Sequence, residues 1–381
     1  MTGEVAIAGL GLVTAFGAGA SRYWRELCAG RSALRPATRP GYGVVGQVPG
    51  DDPGVPAADP DEPRKLRYAE TALREALAGA GLSAVPPDAV VVVASQAPPA
   101  PERADRPAGM REFTGPDLTA RLPPSVPVWY VSHACASAAF GLLLARDLVR
   151  SGHTGTAVVV GAHVLNEYEY RSMEVVKALS PEPARPFDPA RAGISLGEGG
   201  GAVVLQPATG AAGEIVVVGG ATRVAGALPA AAATADLAGC MRAALADADA
   251  VPPAGAGEPA RPDYVHAHAT GTAQGDDVEL DALGEVLADL GLADVPVSSH
   301  KGAVGHLLHS SFFPALVAAS AALRTGTAPP TVGLRRSRRA GPSWLPATTA
   351  PLAGRRLAMV NSFGFGGSTA SVLLRHRTRG V

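Results

Sequence analysis

The sequence predicts an α/β protein with layered sheets, and three observations support this fold class. Runs of β-branched residues alternate along the chain with stretches of helical character. Several of these runs are apolar throughout, which suits strands that are covered on both faces. The chain has 381 residues, of which 47% are hydrophobic, so it can bury the large core of two domains or of one duplicated fold.

The elements follow one another in a regular order. Predicted strands are VAIAG near residue 5, AVVVVAS near 89, TAVVVGA near 156, EIVVVGGA near 214, YVHAHA near 264 and LAMVNSF near 357. Predicted helices span residues 20–29, 62–80, 135–150, 232–248, 276–290 and 311–324. Proline-rich composition predicts a loop over 97–127 and a connection over 251–263. A glycine-rich break near 207–213 suggests two similar halves, which we place at residues 1–210 and 211–381.

Composition excludes several classes of function. The net charge of −1 creates no general attraction to nucleic acid or to a membrane surface. No apolar stretch is long enough to span a membrane and no signal peptide is evident, so we expect a cytoplasmic protein without a membrane partner. The odd number of cysteines, with no short spacing, predicts neither a disulfide framework nor a metal site. A single reactive thiol is therefore worth seeking.

Cys135 is the candidate thiol. The segment WYVSHACASAAFG predicts a strand, a tight turn of small residues and a buried helix that begins at Cys135. The positive end of a helix favours thiolate over thiol, which would make this cysteine a nucleophile. The alternative is that Cys135 is a small buried hydrophobic residue, as many free cysteines are. This segment alone leaves both interpretations open.

Two histidines strengthen the first interpretation. His268 lies at the end of a predicted strand in YVHAHATGTAQGDDVE, and His306 follows a short strand in SSHKGAVGHLLHSS. Each of them alone is more often a hydrogen-bonded structural residue than a catalyst. Together with Cys135 they form a cysteine and two-histidine set of the kind that activated-thiol chemistry requires.

Six motifs in order resemble those of the ketosynthases of fatty acid and polyketide synthesis. They are GLVTAFG, ACASAAFG, the stretch from RPFD to GEGGG, HAHATGTAQGDDVE, SSHKGAVGH and NSFGFGGSTAS. The resemblance implies a thiolase-like, five-layered αβαβα sandwich built from two similar halves. It further implies a decarboxylative Claisen condensation, in which a Cys135-bound acyl group reacts with a malonyl-type carrier-protein thioester.

The same resemblance implies roles for particular residues. His268 and His306 would bind the malonyl carbonyl oxygen as oxyanion-hole donors. Lys301 would tune the site through a carboxylate, Asp276 or Glu279. Thr270 and Thr272 would bind the substrate by contacting its phosphopantetheine arm, and Phe365 would be the gating residue.

Partners also follow from the resemblance. We expect no bound cofactor, because substrates arrive on the phosphopantetheine arm of an acyl carrier protein. The helix containing Arg64, Lys65 and Arg67 is the candidate docking surface, and a second basic group comprises Arg335, Arg336, Arg338 and Arg339. A solvated basic face is the alternative for both groups. The chain is expected to form a homodimer, or a heterodimer with a ketosynthase-like subunit.

Departures from the family pattern keep other functions open. A proline-rich stretch replaces the usual segment before Cys135, and Ala269 stands where the family has glycine. Phe312 and Phe313 follow His306 in place of small residues, which predicts that one of them closes part of the acyl tunnel. The alternatives are an acyltransferase that forms an ester or amide without decarboxylation, a degradative thiolase and a non-catalytic chain-length partner subunit. The thiolase lacks a suitable second cysteine, and the partner subunit would lack Cys135.

Overall fold

A computed structural model describes residues 3–39, 41–50, 52, 54–55, 63–97, 118–225, 233–250, 259–352 and 356–378. Most of the loop predicted over 97–127 and the first part of the connection predicted over 251–263 lie outside these residues. In the described part of the chain, helices and strands alternate as the sequence predicts. No helix there is both long and apolar enough to cross a membrane.

Each half of the chain contributes five main strands to the sheets. Those of the first half are β1 (Val5–Thr14), β5 (Val90–Ala94), β6 (Val128–Val131), β7 (Ala157–His163) and β8 (Gly199–Pro207). Those of the second half are β9 (Ile215–Val224), β10 (Tyr264–His266), β11 (Val295–Ser298), β16 (Leu357–Gly364) and β17 (Ser368–His376). Short strands are β2 (Gly17–Ala18), β3 (Arg35–Pro36), β4 (Val44–Val45), β12 (Thr327–Ala328), β13 (Arg338–Ala340), β14 (Ser343–Leu345) and β15 (Ala350–Pro351).

Eight α-helices connect these strands in the described residues. They are α1 (Ala20–Cys28), α2 (Arg64–Gly79), α3 (Ser137–Arg150), α4 (Glu167–Val175), α5 (Thr234–Asp249), α6 (Ala273–Asp289), α7 (Lys301–Val304) and α8 (Phe312–Thr325). All six predicted helices are present within three residues of the expected bounds. Helix α4 was not predicted, because EYEYRSMEV has no apolar periodicity.

The sheet order repeats between the two halves. The hydrogen-bonded path runs β13-β14-β11-β10-β16-β17-β9-β1-β8-β7-β5-β6. In the first half, β1 pairs antiparallel with β8, β8 antiparallel with β7, β7 parallel with β5, and β5 parallel with β6. In the second half, β9 pairs antiparallel with β17, β17 antiparallel with β16, β16 parallel with β10, and β10 parallel with β11. The sequence therefore folds twice into one topology. The division at residues 210 and 211 stays a prediction.

Alternating side chains assign the layers. Val90 and Val92 of β5 point into a central core with α3 and α8, whereas Val91 and Val93 point into an outer core with α2. On the other side, the second-half strands cover the central core with one face and pack their opposite face against α5 and α6. The five layers are thus helix, sheet, helix pair, sheet and helix pair, as predicted. The segments that carry Cys135 and His306 lead into the two central helices, α3 and α8.

Candidate functional site

Cys135 lies in a tight turn between β6 and α3. The helix begins at Ser137 and not at Cys135 as predicted, and Ala134 adopts a left-handed backbone conformation with φ of 46°. The Ser137 hydroxyl fastens this turn, since it accepts from the His133 N–H at 2.8 Å and donates to the Ala134 carbonyl at 2.7 Å. The Cys135 side chain is 8% exposed. The sulfur is therefore held at a rigid, nearly buried position.

A cavity of about 340 Å³ brings the predicted site residues together. Its wall includes Cys135, His268, His306, Thr270, Thr272, Asp276 and Phe365. The two imidazole rings are 5.4 Å apart between centroids and nearly perpendicular, at 83°. Residues separated by more than 100 positions in the sequence thus face one cavity.

Hydrogen bonds determine which nitrogen of His268 carries the proton. Its Nδ1 accepts the Phe363 backbone N–H at 3.2 Å, and the Lys301 ammonium lies 3.5 Å from the same atom. Because Nδ1 is an acceptor, the neutral ring carries its hydrogen on Nε2. No group in the described residues takes up that Nε2–H, which leaves it available to a ligand in the cavity.

His306 has the same tautomer for a different reason. Its Nδ1 lies 2.7 Å from the Ser311 hydroxyl oxygen, which also accepts the Leu307 backbone N–H at 3.0 Å. Ser311 is buried, and His306 is the only acceptor for its hydroxyl hydrogen among the described residues. The hydroxyl therefore donates to Nδ1 and the ring carries its hydrogen on Nε2. Two Nε2–H groups are thus available in one cavity.

Lys301 is buried beside His268, but it does not contact a carboxylate as predicted. Its ammonium donates to the His268 carbonyl oxygen, and no ion pair joins it to Asp276 or Glu279. Burial lowers the pKa of Lys301 to about 8, although the negative charge of Glu279 opposes this. Lys301 therefore makes no direct contact with either carboxyl group, but it interacts with Glu279 and Asp276 through their charges, and its tuning role stays a prediction.

Glu279 and Asp276 hold the segment that carries His268. Glu279 accepts the backbone N–H groups of His268 and Ala269 at 2.9 and 2.8 Å. Asp276 accepts those of Thr270 and Gly271 at 2.9 and 3.1 Å. These two carboxylates fix the backbone from His268 onward, so they act on the site through that backbone.

Burial sets the protonation states in the cavity. It raises the pKa of the Cys135 thiol to about 12, with the Lys301 charge acting in the opposite direction. The expected resting thiolate is therefore wrong, because the helix starts two residues later than predicted and the sulfur is buried. Burial, and then the positive charge of Lys301, holds the pKa of His268 and of His306 well below the ordinary value. Both rings are neutral N–H donors at pH 7.

Aromatic, hydroxyl and basic side chains lie near the mouth of the cavity. Phe365 is 43% exposed and begins a short 3-10 turn, Phe365–Gly367. Thr270 and Thr272 lie on the wall with their hydroxyl oxygens 3.2 Å apart. Lys177, at the end of α4, is exposed at the same mouth.

The predicted docking helix is largely turned inward. The Lys65 side chain is only 3% exposed, so its assignment to a docking surface is wrong. Arg64 forms an ion pair at 3.0 Å with the buried carboxylate of Glu198, and Arg67 is half-buried. Docking by Arg64 and Arg67 stays a prediction. In the second basic group, Arg335, Arg336 and Arg339 are exposed and Arg338 is half-buried.

Phe312 and Phe313 do not line the cavity. Both are buried in the central core, and the Phe313 ring lies against the backbone of Gly201 in β8 and Gly161 in β7. Two glycines therefore supply the space that the aromatic side chains need. The prediction that one of them closes the acyl tunnel is wrong for this cavity.

The sequence prediction missed four polar residues around the site. They are Ser137, Ser311, His163 and Glu169. Only Ser311 gave a signal, because it replaces a small residue of the family pattern after His306. Ser137 acts within its own turn, and Glu169 pairs with His163 only six residues away, so in these cases the sequence hides the side-chain geometry and not a distant partner.

Two family models match the chain. The N-terminal domain of beta-ketoacyl synthase matches residues 125–211, and the C-terminal domain matches residues 214–335. Together they cover more than half of the sequence. The chain belongs to the beta-ketoacyl synthase family. The resemblance to the ketosynthases is confirmed, and four of the six motifs lie within the matched residues.

Curated relatives include proteins of very different length. Nodulation protein E of Rhizobium sp. (strain N33) is 28% identical over 365 residues, covering 88% of this chain and 90% of the relative. Polyketide synthase ThaG of Burkholderia thailandensis is 30% identical over 268 residues, covering 64% of this chain. This ketosynthase spans only 5% of ThaG and 10% of the non-reducing polyketide synthase pkdA of Emericella nidulans.

Solved structures support the thiolase-like fold. The structure titled the ishigamide ketosynthase/chain length factor is 27% identical, with a TM-score of 0.82 and full coverage of both chains. A type II polyketide synthase acyl-carrier protein in complex with its ketosynthase, bound to the hexaketide, matches with a TM-score of 0.80. At 21% identity over 98% of this chain and 100% of that chain, the second match bears on the fold alone.

Proposed function

We propose that this ketosynthase catalyses decarboxylative condensation of a Cys135-bound acyl group with a malonyl-type carrier-protein thioester. One observation supports this most directly: His268 and His306 both direct a free Nε2–H into the cavity that contains Cys135. Transfer of an acyl group to an alcohol or amine needs a base, whereas two fixed donors suit a developing enolate oxygen.

Acylation comes first in this proposal. The Cys135 sulfur bonds to the acyl carbon, the bond to the pantetheine sulfur breaks, and the thiol proton passes to that sulfur. Thiol and not thiolate is the resting form because burial raises the pKa of Cys135 to about 12. The nearby Lys301 charge favours the anion as it forms.

Condensation follows at the two histidines. The malonyl group loses carbon dioxide, and the resulting enolate oxygen accepts hydrogen bonds from the two Nε2–H groups. The enolate carbon then bonds to the acyl carbon, the acyl–sulfur bond breaks, and Cys135 takes up one proton. Each fixed donor contributes roughly 3–4 kcal/mol to such a transition state.

The partners are proposed in the same way. The pantetheine arm would enter past Phe365 and contact Thr270 and Thr272, which line the route to Cys135. The carrier protein would dock through the exposed Arg335, Arg336 and Arg339, which offer positive charge to an acidic surface. The second subunit would be an identical chain or a ketosynthase-like paralogue.

Substitution of the histidines tests the proposal. His268→Ala and His306→Ala should each lower carbon dioxide release from malonyl-carrier protein by about 100-fold or more, because each removes one oxyanion donor. Acylation of Cys135, followed by intact mass, should persist in both variants. His153→Ala, on an exposed loop, is the matched control and should behave as the wild type.

Other outcomes would contradict the proposal. A wild-type enzyme that moves acyl groups to an alcohol or amine but never consumes malonyl-carrier protein would be an acyltransferase. A chain that is acylated at neither Cys135 nor any other cysteine would instead be a non-catalytic partner subunit. An adduct on Cys28 or Cys240 alone would exclude the assigned nucleophile.

A further inference from the structure

A buried ion pair lies next to the candidate site and is not used in the proposed reaction. His163, the last residue of β7, is 1% exposed. Its Nδ1 lies 2.7 Å from the Gly197 carbonyl oxygen, and its Nε2 lies 3.0 Å from Glu169 Oε2. The Gly197 carbonyl can only accept, so Nδ1 donates to it. When the Glu169 carboxyl is ionised it also accepts, so Nε2 donates as well and the ring is an imidazolium.

The charges of the pair agree with this geometry. Burial lowers the pKa of His163, but the Glu169 carboxylate and the Gly197 carbonyl raise it more, and the net direction is upward. For Glu169, burial raises the pKa, and the His163 charge lowers it below the ordinary value. Both directions favour the ionised pair, which is buried within the protein.

The pair is joined directly to the backbone of His306. Gly197, whose carbonyl accepts from His163, donates its own N–H to the His306 carbonyl at 3.0 Å. The His306 N–H in turn donates to the Ser195 carbonyl at 2.8 Å. Gly197 thus joins the His163 ring to the carbonyl of His306, and Ser195 holds the N–H of His306 on the other side of this short bridge.

A second connection runs through His309. This residue lies three positions after His306, and its Nε2–H donates at 2.9 Å to the carbonyl of Ala162, which precedes His163. The rings of His163 and His309 meet edge to face, with centroids 5.6 Å apart. The turn that carries His306 is therefore fastened to the end of β7 at two points.

Glu169 extends the connection to the cavity wall. It lies in the first turn of α4, where Asn166 caps the helix by accepting the Glu169 N–H at 2.9 Å. The far end of the same helix supplies Met173, and Val176 and Lys177 follow it on the wall. The ion pair consequently joins one wall of the cavity to the segment that holds His306.

We propose that His163 and Glu169, supported by His309, form a positioning device that sets the orientation of His306 toward the malonyl carbonyl oxygen. The inference rests on the proposed function for its catalytic consequence. A displacement of about 1 Å at a catalytic group can cost about 100-fold in rate. Loss of the pair should therefore reduce decarboxylation much more than acylation, because His306 is hydrogen-bonded to Gly197, whereas Cys135 is held by its own turn and is reached only by the Glu169 charge.

The test replaces both partners at once. Removal of one partner would leave an unpaired buried charge and destabilise the fold, whereas an apolar pair of similar volume is often neutral or stabilising. The variant is therefore His163→Leu with Glu169→Leu. The matched control is Glu167→Leu, which makes the same change two residues earlier on the exposed side of α4.

The rates of both half-reactions discriminate between the explanations. In the double variant, kcat for carbon dioxide release from malonyl-carrier protein should fall by about 10- to 100-fold. Acylation of Cys135 should stay within about threefold of the wild type, and the control should change neither rate. Unchanged decarboxylation, or an equal fall of both rates, would overturn the inference.

A crystal structure of the double variant separates this inference from the proposed function. If the wild type releases no carbon dioxide, the proposed function fails, but the position of His306 is still measurable. A shift of the His306 ring by more than about 0.5 Å would support the positioning role, since catalytic geometry is sensitive at this scale. A ring that keeps its position would overturn it.

Discussion

The contact between Gly201 and Phe313 predicts how one added atom, the Cβ of an alanine at position 201, changes the free energy of unfolding. Gly201 lies on β8 at the centre of the sheet, and its backbone faces the ring of Phe313 on α8. A Cβ built at this position would lie 2.2 Å from Phe313 Cβ and 2.3 and 2.7 Å from ring atoms. Gly201→Ala is therefore expected to destabilise the protein although its backbone conformation suits alanine.

The magnitude follows from the distances. Carbon atoms in contact prefer separations of about 3.5–4.0 Å, so the ring and the strand must part by about 1.3 Å. Phe313 is enclosed in the central core, where such overpacking costs about 1–3 kcal/mol. The short distances predict a cost at the upper end of this range.

A double-mutant cycle assigns the cost to this contact. Phe313→Ala alone should lower the free energy of unfolding by about 3–5 kcal/mol, because it leaves a cavity. In that background Gly201→Ala should cost less, because the ring atoms at 2.3 and 2.7 Å are gone, and the cost that remains comes from the Cβ of residue 313 at 2.2 Å. Urea unfolding followed by circular dichroism measures all four proteins, and Gly155→Ala, which meets no atom within 4 Å, is the control.

The refuting result is equally specific. If Gly201→Ala costs the same free energy in the Phe313→Ala background as in the wild type, the two residues are not coupled. The two glycines would then not be what allows this chain to hold aromatic residues after His306.

Two further predictions concern the site. The rate of Cys135 alkylation by iodoacetamide should keep rising with pH beyond about 8.5, the ordinary thiol value, because burial raises its pKa to about 12. A plateau near pH 8.5 in peptide-resolved mass measurements would contradict this. Ser311→Ala should lower carbon dioxide release by about tenfold, because His306 loses the donor that fixes its tautomer. Ser310→Ala, which removes a neighbouring buried hydroxyl that has no hydrogen-bond partner among the described residues, should not lower it. Equal losses in both variants would reject the tautomer argument.

Much of the fold was predictable because each main strand and helix has a local pattern. The valine runs at β5 and β7 are covered on both faces, and six helices agree with their expected bounds within three residues. Helix α4 was missed because its stability comes from tertiary contacts. Glu169 pairs with His163, and Tyr170 stacks on Tyr42 with ring centroids 3.9 Å apart.

The candidate reactive groups of the site could be predicted from the sequence, but their hydrogen-bond partners could not. Cys135, His268 and His306 stand in distinctive motifs, and the fold brings all three to one cavity. The motifs indicated a carboxylate partner for Lys301, whereas the structure gives it the His268 carbonyl oxygen. A hydrogen bond between distant segments depends on exact backbone placement, which no local pattern encodes.

The sequence by itself determined the family and the fold class, and it named the candidate reactive side chains, because these depend on local periodicity and on motifs with characteristic spacing. Tertiary structure alone decided the charge states of the site residues and the orientation of the two imidazole rings. Burial keeps Cys135 as a thiol, and the partners at Nδ1 leave Nε2–H of His268 and His306 free in the cavity. Enclosure likewise turned Lys65 inward and permitted the ionised His163–Glu169 pair. Solvation and hydrogen-bond geometry are properties of the assembled layers, so they appear only when the two halves have packed together.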